Sequence, residues 1–192
     1  MEGILGIDVG ATGIKGAIVN IETGELMTER IKIKTPSPAT PESILTVIKE
    51  IKRKLKYSGE KIGIGFPSVV KNGTVLSAAN IDKSWINYAI KEKYSKGLRK
   101  DVYVINDADA AGLAEMKFGG GKKKKGFVIF LTLGTGIGSA PFKDGKLLAN
   151  TELGHLKYKK TVGEHYASNS AREKKKLSWK NWGTELNEYL KM

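Results

Sequence analysis

The stretch Val104-Ile105-Asn106-Asp107-Ala108-Asp109-Ala110-Ala111-Gly112 constrains this chain most, because the apolar strand that begins at Val102 runs without a loop into two carboxylates and a helix-forming segment. In α/β sheets, ligands collect at the carboxyl ends of strands, where helix N-terminal N–H groups point outward. Asp107 at such a junction is placed to take a proton from a bound hydroxyl. The competing reading is structural, with Asn106 or Asp107 capping the helix, and this stretch alone leaves both open.

A chain of 192 residues can bury a real core, as one domain or two small ones. It has no cysteine, so nothing argues for disulfides or a thiolate metal site. No apolar run approaches the roughly 20 residues that span a bilayer, and Met1-Glu2-Gly3 opens directly into a strand instead of a basic, then apolar, leader. A cytoplasmic protein with no membrane partner is expected. Lys and Arg number 33 against 20 Asp and Glu, a net charge of +13, which sets up a positive field reaching about 8 to 10 Å. Nucleic acid, an anionic surface or another polyanion would answer it; so would a plain solubility role or adaptation to heat. Much of the charge lies late, in Lys122, Lys123, Lys124, Lys125, Lys157, Lys159, Lys160, Arg172 and Lys174 to Lys176.

Early in the chain, Gly3 to Val9 and Ile14 to Asn20 read as antiparallel strands joined by Gly10-Ala11-Thr12-Gly13. The Gly-Lys-Ser/Thr ending and following helix of a P-loop are both missing. Backbone N–H groups at Gly10 and Gly13, the Thr12 hydroxyl and Lys15 can still cradle phosphate oxygens, and Asp8 can hold Mg²⁺ through water. A plain hairpin remains the alternative. Glu25 to Lys34 alternates as a third strand, Thr40-Pro41 opens a helix, and Ile44, Leu45, Val47, Ile48, Ile51 and Leu55 share its apolar face. Lys61 to Phe66 is a buried strand. The loop Ser77 to Trp85 carries Asn80, Asp82 and Lys83, which suit sugar hydroxyls or an Asx-turn and helix cap; a helix is expected near Trp85 to Tyr94.

After the anchor strand, Ala108 to Phe118 should be helical and Gly119 to Lys125 a flexible basic loop. Phe127 to Leu133 is a strand, Gly134-Thr135-Gly136 a second glycine-rich turn, and Ile137 to Phe142 and Lys146 to Leu148 further strands. No helix follows this turn, so it is not a dinucleotide fingerprint. Two such hairpins suggest two half-sites facing a phosphate chain. In Asn150-Thr151-Glu152-Leu153-Gly154-His155 the histidine is structural or functional; zinc is not expected, since only His165 follows and no cysteine supports it. Ser178 caps a closing helix whose Trp179, Trp182, Leu186, Tyr189 and Leu190 form a face in need of cover.

Asp8 to Gly16, Thr35-Pro36 through Pro41-Glu42, Ser77 to Trp85, Val104 to Gly112, Leu131 to Ser139 and Thr151 to His155 together resemble the polyphosphate glucokinases of the ROK family of sugar kinases and repressors. The motifs come in the family's order over nearly the whole chain. The resemblance implies an α/β fold of the actin-like, ribonuclease H-like kind with two domains, residues 1–105 carrying the first phosphate hairpin and 106–192 the second. Family members continue past the position of Met192, so the second domain is expected to be incomplete. The implied enzyme is a polyphosphate–glucose phosphotransferase acting on the 6-hydroxyl of glucose, with ATP open as a second donor, Mg²⁺ as cofactor, no zinc, and a homodimeric assembly. By the same resemblance Asp107 is the general base; Asn80, Asn106, Asp107, Glu152 and His155 bind sugar; Gly10, Thr12, Gly13, Lys15, Gly134, Thr135 and Gly136 bind phosphate; and Asp8 lies near the metal. Lys122, Lys123, Lys124, Lys125, Lys157, Lys159 and Lys160 are the expected polyphosphate surface, held by charge alone. Two other classes stay open: an inactive or regulatory sugar- and polyanion-binding member of the family, and a basic nucleic-acid-binding protein, although no recognition helix or stacking motif supports the latter.

Overall fold

Apolar alternation sets the first sheet: Leu5, Ile7 and Val9 of β1 (Ile4–Val9) point into the core while Asp8 faces out. The computed structural model describes residues 3–78 and 81–192. They divide into two units, Met1–Ala110 and Ala111–Met192. In the first, β1 is followed by β2 (Gly13–Val19), β3 (Ile31–Lys34), α1 (Pro41–Lys54), β4 (Lys61–Phe66), the short β5 (Val70–Lys71) and β6 (Thr74–Val75), α2 (Ile90–Leu98) and β7 (Asp101–Asn106). The sheet order is β3-β2-β1-β4-β7. β1, β2 and β3 pair antiparallel, whereas β1, β4 and β7 run parallel.

α1 starts where the sequence says it should. Thr40 Oγ1 accepts from Ser43 N at 3.3 Å, with Pro41 at the first helical position. Ile44, Val47, Ile48 and Ile51 are buried beneath it, each worth about 1.5 to 3 kcal/mol. Trp85 is the other centre of this core, fully buried and 4.4 Å from Phe66, 5.3 Å from Tyr88 and 6.0 Å from Tyr94 between ring centroids. Its indole N–H donates to Ala39 O at 2.7 Å, and Tyr94 OH donates to Pro41 O at 2.8 Å. Distant residues thus satisfy the polar backbone that leads into α1.

The second unit begins within α3 (Asp107–Phe118) and adds β8 (Phe127–Leu133), β9 (Ile137–Lys143), β10 (Lys146–Leu147), a 3₁₀ turn at Leu153–His155, β11 (Lys157–Tyr158), β12 (Thr161–Val162), α4 (Glu164–Ala167), α5 (Asn169–Lys174) and α6 (Trp179–Leu190). β10, β9 and β8 form an antiparallel sheet. Ile137, Ala167 and Tyr189 form a small buried cluster, packed by Leu131, Leu133, Tyr158 and Leu186, and Ala140 and Phe142 of β9 are fully buried as well. Among the described residues no helix is long and apolar enough to cross a membrane.

Three expectations are corrected. The third strand does not begin at Glu25: Asn20 Oδ1 accepts from Glu22 N and Thr23 N, Gly24 turns at φ 80°, and only an isolated bridge joins Leu26 to Val19 before Ile31. The helix expected from Trp85 is a 3₁₀ turn, Lys83–Trp85, capped by Asp82; Asn87 then turns at φ 62° and α2 starts at Ile90. On α6, Trp182, Leu186 and Tyr189 pack inward, but Trp179 stays 66% exposed, with the Arg172 guanidinium 4.0 Å from its ring centroid.

Burial holds the Tyr94 hydroxyl in its neutral form and raises its pKa, an effect reinforced by Tyr88 and Glu42. Above pH about 10 the unfolded chain therefore carries fewer protons on this ring than the folded one, and stability falls as pH rises, by up to about 1.4 kcal/mol per pH unit. Tyr94→Phe should cost about 1 to 2 kcal/mol at pH 7 through the lost bond to Pro41 O and should flatten that alkaline fall. Urea melts between pH 7 and 11 check both; an alkaline fall as steep in the variant would assign it to other groups.

Candidate active site

Parallel pairing sets one row of residues at the carboxyl edge of the first sheet. Asp8 is opposite Gly65, Gly65 is opposite Ile105, and Phe66 is opposite Asn106. Asp107 follows as the first residue of α3. Asn106 is buried and uses both ends of its amide: Oδ1 accepts from Asp109 N at 3.0 Å, capping α3, and Nδ2 donates to Ser68 O at 3.3 Å. The capping alternative is therefore what the geometry gives for Asn106, leaving one N–H of its NH₂ and one lone pair of Oδ1 for anything else.

The two carboxylates of this junction separate cleanly. Asp109 is fully buried in the first turn of α3, whereas Asp107 is partly exposed and its Oδ1 accepts from Ala108 N at 2.8 Å. A proton acceptor for a bound hydroxyl has to be reachable, and only Asp107 is. Gly65 lies alongside: a Cβ there would sit 3.6 Å from Asp107 Cα, in ordinary van der Waals contact. Asn80 lies outside the described residues. Asp82 accepts from Ser84 N and Oγ, and Lys83 Nζ donates to Ala78 O at 2.5 Å, so both serve their own turn.

In the first glycine hairpin Asp8 and Lys15 are cross-strand partners, and Lys15 Nζ is 2.9 Å from Asp8 Oδ2. Thr35 Oγ1 donates to Gly10 O at 2.6 Å, pinning the turn. Gly10 N, expected to face phosphate, donates instead to Gly13 O at 3.2 Å, because the turn closes on itself. Thr12 is exposed at the tip. Among the described residues no group of three or more His, Cys, Asp or Glu could hold a metal ion. A single exposed carboxylate does fit Mg²⁺, which keeps several waters and takes one or two carboxylates with substrate phosphates.

In the second unit, the Gly134 to Gly136 turn is closed in the same way, Gly134 N donating to Gly136 O at 3.0 Å, while Gly134 O accepts from Ser170 N at 3.1 Å. Gly134 N is thus also turned inward, and Thr135 is exposed. Sequence reasoning missed Glu164. Its Oε2 accepts from Ile137 N at 3.2 Å, its Oε1 lies 3.5 Å from His155 Nε2, and any Cβ on Gly136 would collide with its carboxylate. His155 Nδ1 is 3.9 Å from Glu152 Oε2. The three side chains lie in a row, Glu152, His155, Glu164, ending under the glycine turn. Ser139 fixes the segment that carries them: its Oγ donates to Thr151 O and accepts from Leu153 N at 3.0 Å, and Tyr189 OH donates to Leu153 O. Burial, with the field of Glu164 second, raises the Tyr189 pKa. No spacing motif links Glu164 to His155 in the sequence; β11 and β12, a two-stranded hairpin pairing Lys157 with Val162, fold the chain back between them.

The basic segments differ among themselves. Lys122 to Lys125 are all exposed, on a loop of hydrogen-bonded turns in which Glu115 Oε2 accepts from Gly120 N. Lys157 and Lys160 are exposed as well. Lys159 is not a spare charge: it lies 2.5 Å from Glu185 Oε1 and 3.5 Å from Glu188 Oε2, and the Glu185 contact raises its pKa.

The sequence profile of the ROK family matches residues 4–175. A polyphosphate glucokinase of Mycobacterium tuberculosis is 44% identical over 186 residues, covering 96% of this chain and 70% of that protein. The crystal structure of an inorganic polyphosphate/ATP-glucomannokinase from Arthrobacter sp. strain KM superposes with a TM-score of 0.94 at 45% identity, over 99% of this chain and 78% of that one. A ROK family glucokinase from Streptomyces griseus, solved with glucose and AMPPNP, gives 0.78 at 29% identity, over 94% of this chain and 64% of that one.

Asn106→Ala removes the cap of α3 and the bond to Ser68 O together. Chemical denaturation should show a loss of about 1 to 3 kcal/mol, and no measurable loss would mean that Asn106 is not structural.

Proposed function

The chain belongs to the ROK family and has its actin-like α/β fold, and from that premise we propose that it is a polyphosphate-dependent glucokinase, transferring a terminal phosphoryl group to the 6-hydroxyl of glucose. The observation that carries this reading is the close similarity, along almost the whole chain, to proteins named for that activity. The junction at the end of β7 supplies chemistry to match.

In this reading Asp107 accepts the proton of the sugar 6-hydroxyl as that oxygen bonds to the terminal phosphorus. The bond from phosphorus to the bridging oxygen breaks, and the shortened polyphosphate leaves with its electron pair. Such a transfer needs little covalent help, so the remaining residues position and neutralise. Asn106 fixes the start of α3 and so aims Asp107. Glu152 and His155 bind the sugar, with Glu164 orienting the imidazole; Asn80 is assigned to the sugar by family resemblance alone. Thr12, Gly13 and Lys15, and Thr135 and Gly136, receive the phosphates, with Gly10 and Gly134 shaping the two turns. Asp8 would hold Mg²⁺ through water, and the ion would neutralise charge on the transferring phosphate. Lys122 to Lys125, Lys157 and Lys160 attract the polyanion. ATP as a second donor, a cytoplasmic site of action and a homodimer complete the proposal.

Glucose 6-phosphate formation by the purified chain with Mg²⁺, comparing polyphosphate with ATP, tests it. Asp107→Asn should lower turnover by about 10²- to 10⁴-fold while glucose binding and the melting temperature stay close to those of the parent. Turnover within a few-fold of the parent would remove Asp107 as the base. Glucose binding without product from either donor would favour a sugar-binding regulator.

A further inference from the structure

A second cationic site lies at the other end of the first sheet. The C-terminal ends of α1 and α2 border a cleft of about 380 Å³ lined by Lys49, Lys52, Arg53, Lys56 and Arg99, over a floor that includes Tyr57 and Leu98. Its volume is within the range of small-molecule pockets, about 300 to 1,000 Å³. None of the described lining residues is acidic, and none of these five cations forms an ion pair among the described residues. Neighbouring lysines behave differently: Lys54 pairs with Glu50 at 3.0 Å and Lys100 with Glu60 at 2.9 Å. Lys52 Nζ reaches Leu98 O at 3.5 Å, and its four companions are exposed.

The plain explanation is that basic residues complement helix C-termini. Two such ends carry about half a negative charge each, which is too little to balance five cations. The positions are also costly ones for long side chains. Lys56 and Arg99, just past the ends of α1 and α2, are in the left-handed region at φ 49° and 52°, where glycine or asparagine is less strained. Lys123, Lys159 and Lys176 adopt it too, so conformation alone does not single out the cleft; two such residues converging with three further unpaired cations does.

We propose that this cleft is an accessory anchoring site for the polyphosphate chain, remote from phosphoryl transfer. Arg99 precedes β7 and Asp107 follows it; the six strand residues between them put about 20 Å between the two ends. The cleft therefore holds internal phosphates of a long donor and does not take part in the chemistry. A chain occupying both places gains affinity through effective concentration, which a short donor cannot do. Tyr57, the aromatic residue on the floor, is buried to 7% exposure, too little for the stacking platform that single-stranded nucleic acid uses. The identity of the ligand rests on the glucokinase reading; the existence of the anion site does not.

The test is binding without glucose. Long-chain polyphosphate, tripolyphosphate and a single-stranded DNA oligonucleotide are titrated, across a salt series, into the parent chain and into the variant Arg53→Gln, Lys56→Asn, Arg99→Asn. Asparagine suits the left-handed backbone at the last two positions, so the variant should melt no lower; if it does, Arg53→Gln alone repeats the test. The parent should bind long chains more tightly than tripolyphosphate. The variant should bind long chains at least about tenfold more weakly, with a log-log salt slope shallower by about 2 to 3 and tripolyphosphate binding unchanged. In turnover assays KM for the long donor rises while kcat holds. Equal long-chain binding by parent and variant would overturn the proposal, and so would DNA that binds the parent as tightly as polyphosphate and is lost in the same variant. A parent that binds long chains through these residues but phosphorylates nothing would sink the glucokinase reading and leave the anchoring site standing.

Discussion

The parallel register of β1, β4 and β7 is the constraint on which the rest of the first unit depends. It brings the ends of three strands level, so that Asp8, Gly65 and Asn106 come to one edge although they are far apart in sequence. Side chains alternate with a period of two, so slipping any strand by one residue would exchange its buried and exposed faces. In β1 such a slip would drive Asp8 inward and turn Leu5 and Ile7 out. Burial of that apolar row therefore fixes this edge indirectly: the core sets the register, and the register sets where the carboxylates emerge.

Where sequence signals were local, the structure agrees with them. Thr40-Pro41 opens α1, Ser178 caps α6, and both glycine turns join antiparallel strands. Side chains competing for backbone account for the failures. Asn20 and Asp82 each capture nearby N–H groups, and these local bonds outweigh the alternation or apolar spacing that argued for a strand from Glu25 and a helix from Trp85. The site was legible unevenly. Asp107 stands out because it comes at the carboxyl end of an apolar strand just ahead of a helix, and burial adds what sequence does not show: Asp109 is enclosed while Asp107 is reachable. Glu164 was invisible because its link to His155 is made by a hairpin bringing together residues nine positions apart.

Charge shows the same limit. A net +13 says that the surface is positive, not which cations are available. Lys159 sits in a run of lysines and looks like its neighbours, but two carboxylates of α6 claim it. In the sequence Lys49, Lys52, Arg53 and Lys56 are the ordinary polar side of an amphipathic helix and Arg99 is far from them, and only the packing of α1 beside α2 collects them into one cleft. Folding thus redistributes a uniform-looking composition into neutralised pairs and concentrated unpaired clusters.

The placement of the three tryptophans has an optical consequence. Trp85 is sealed in the first unit among Phe66, Tyr88 and Tyr94, whereas Trp179 and Trp182 stand together in the second, one of them largely in solvent. Each unit therefore carries its own intrinsic fluorophore in a contrasting environment. Emission from a dry indole shifts to the red as it is wetted, while that from an already exposed one barely moves. Loss of structure in the first unit is then written in emission colour, and loss in the second chiefly in the coupling between its paired indoles, so a single unlabelled sample reports on the cohesion of both halves.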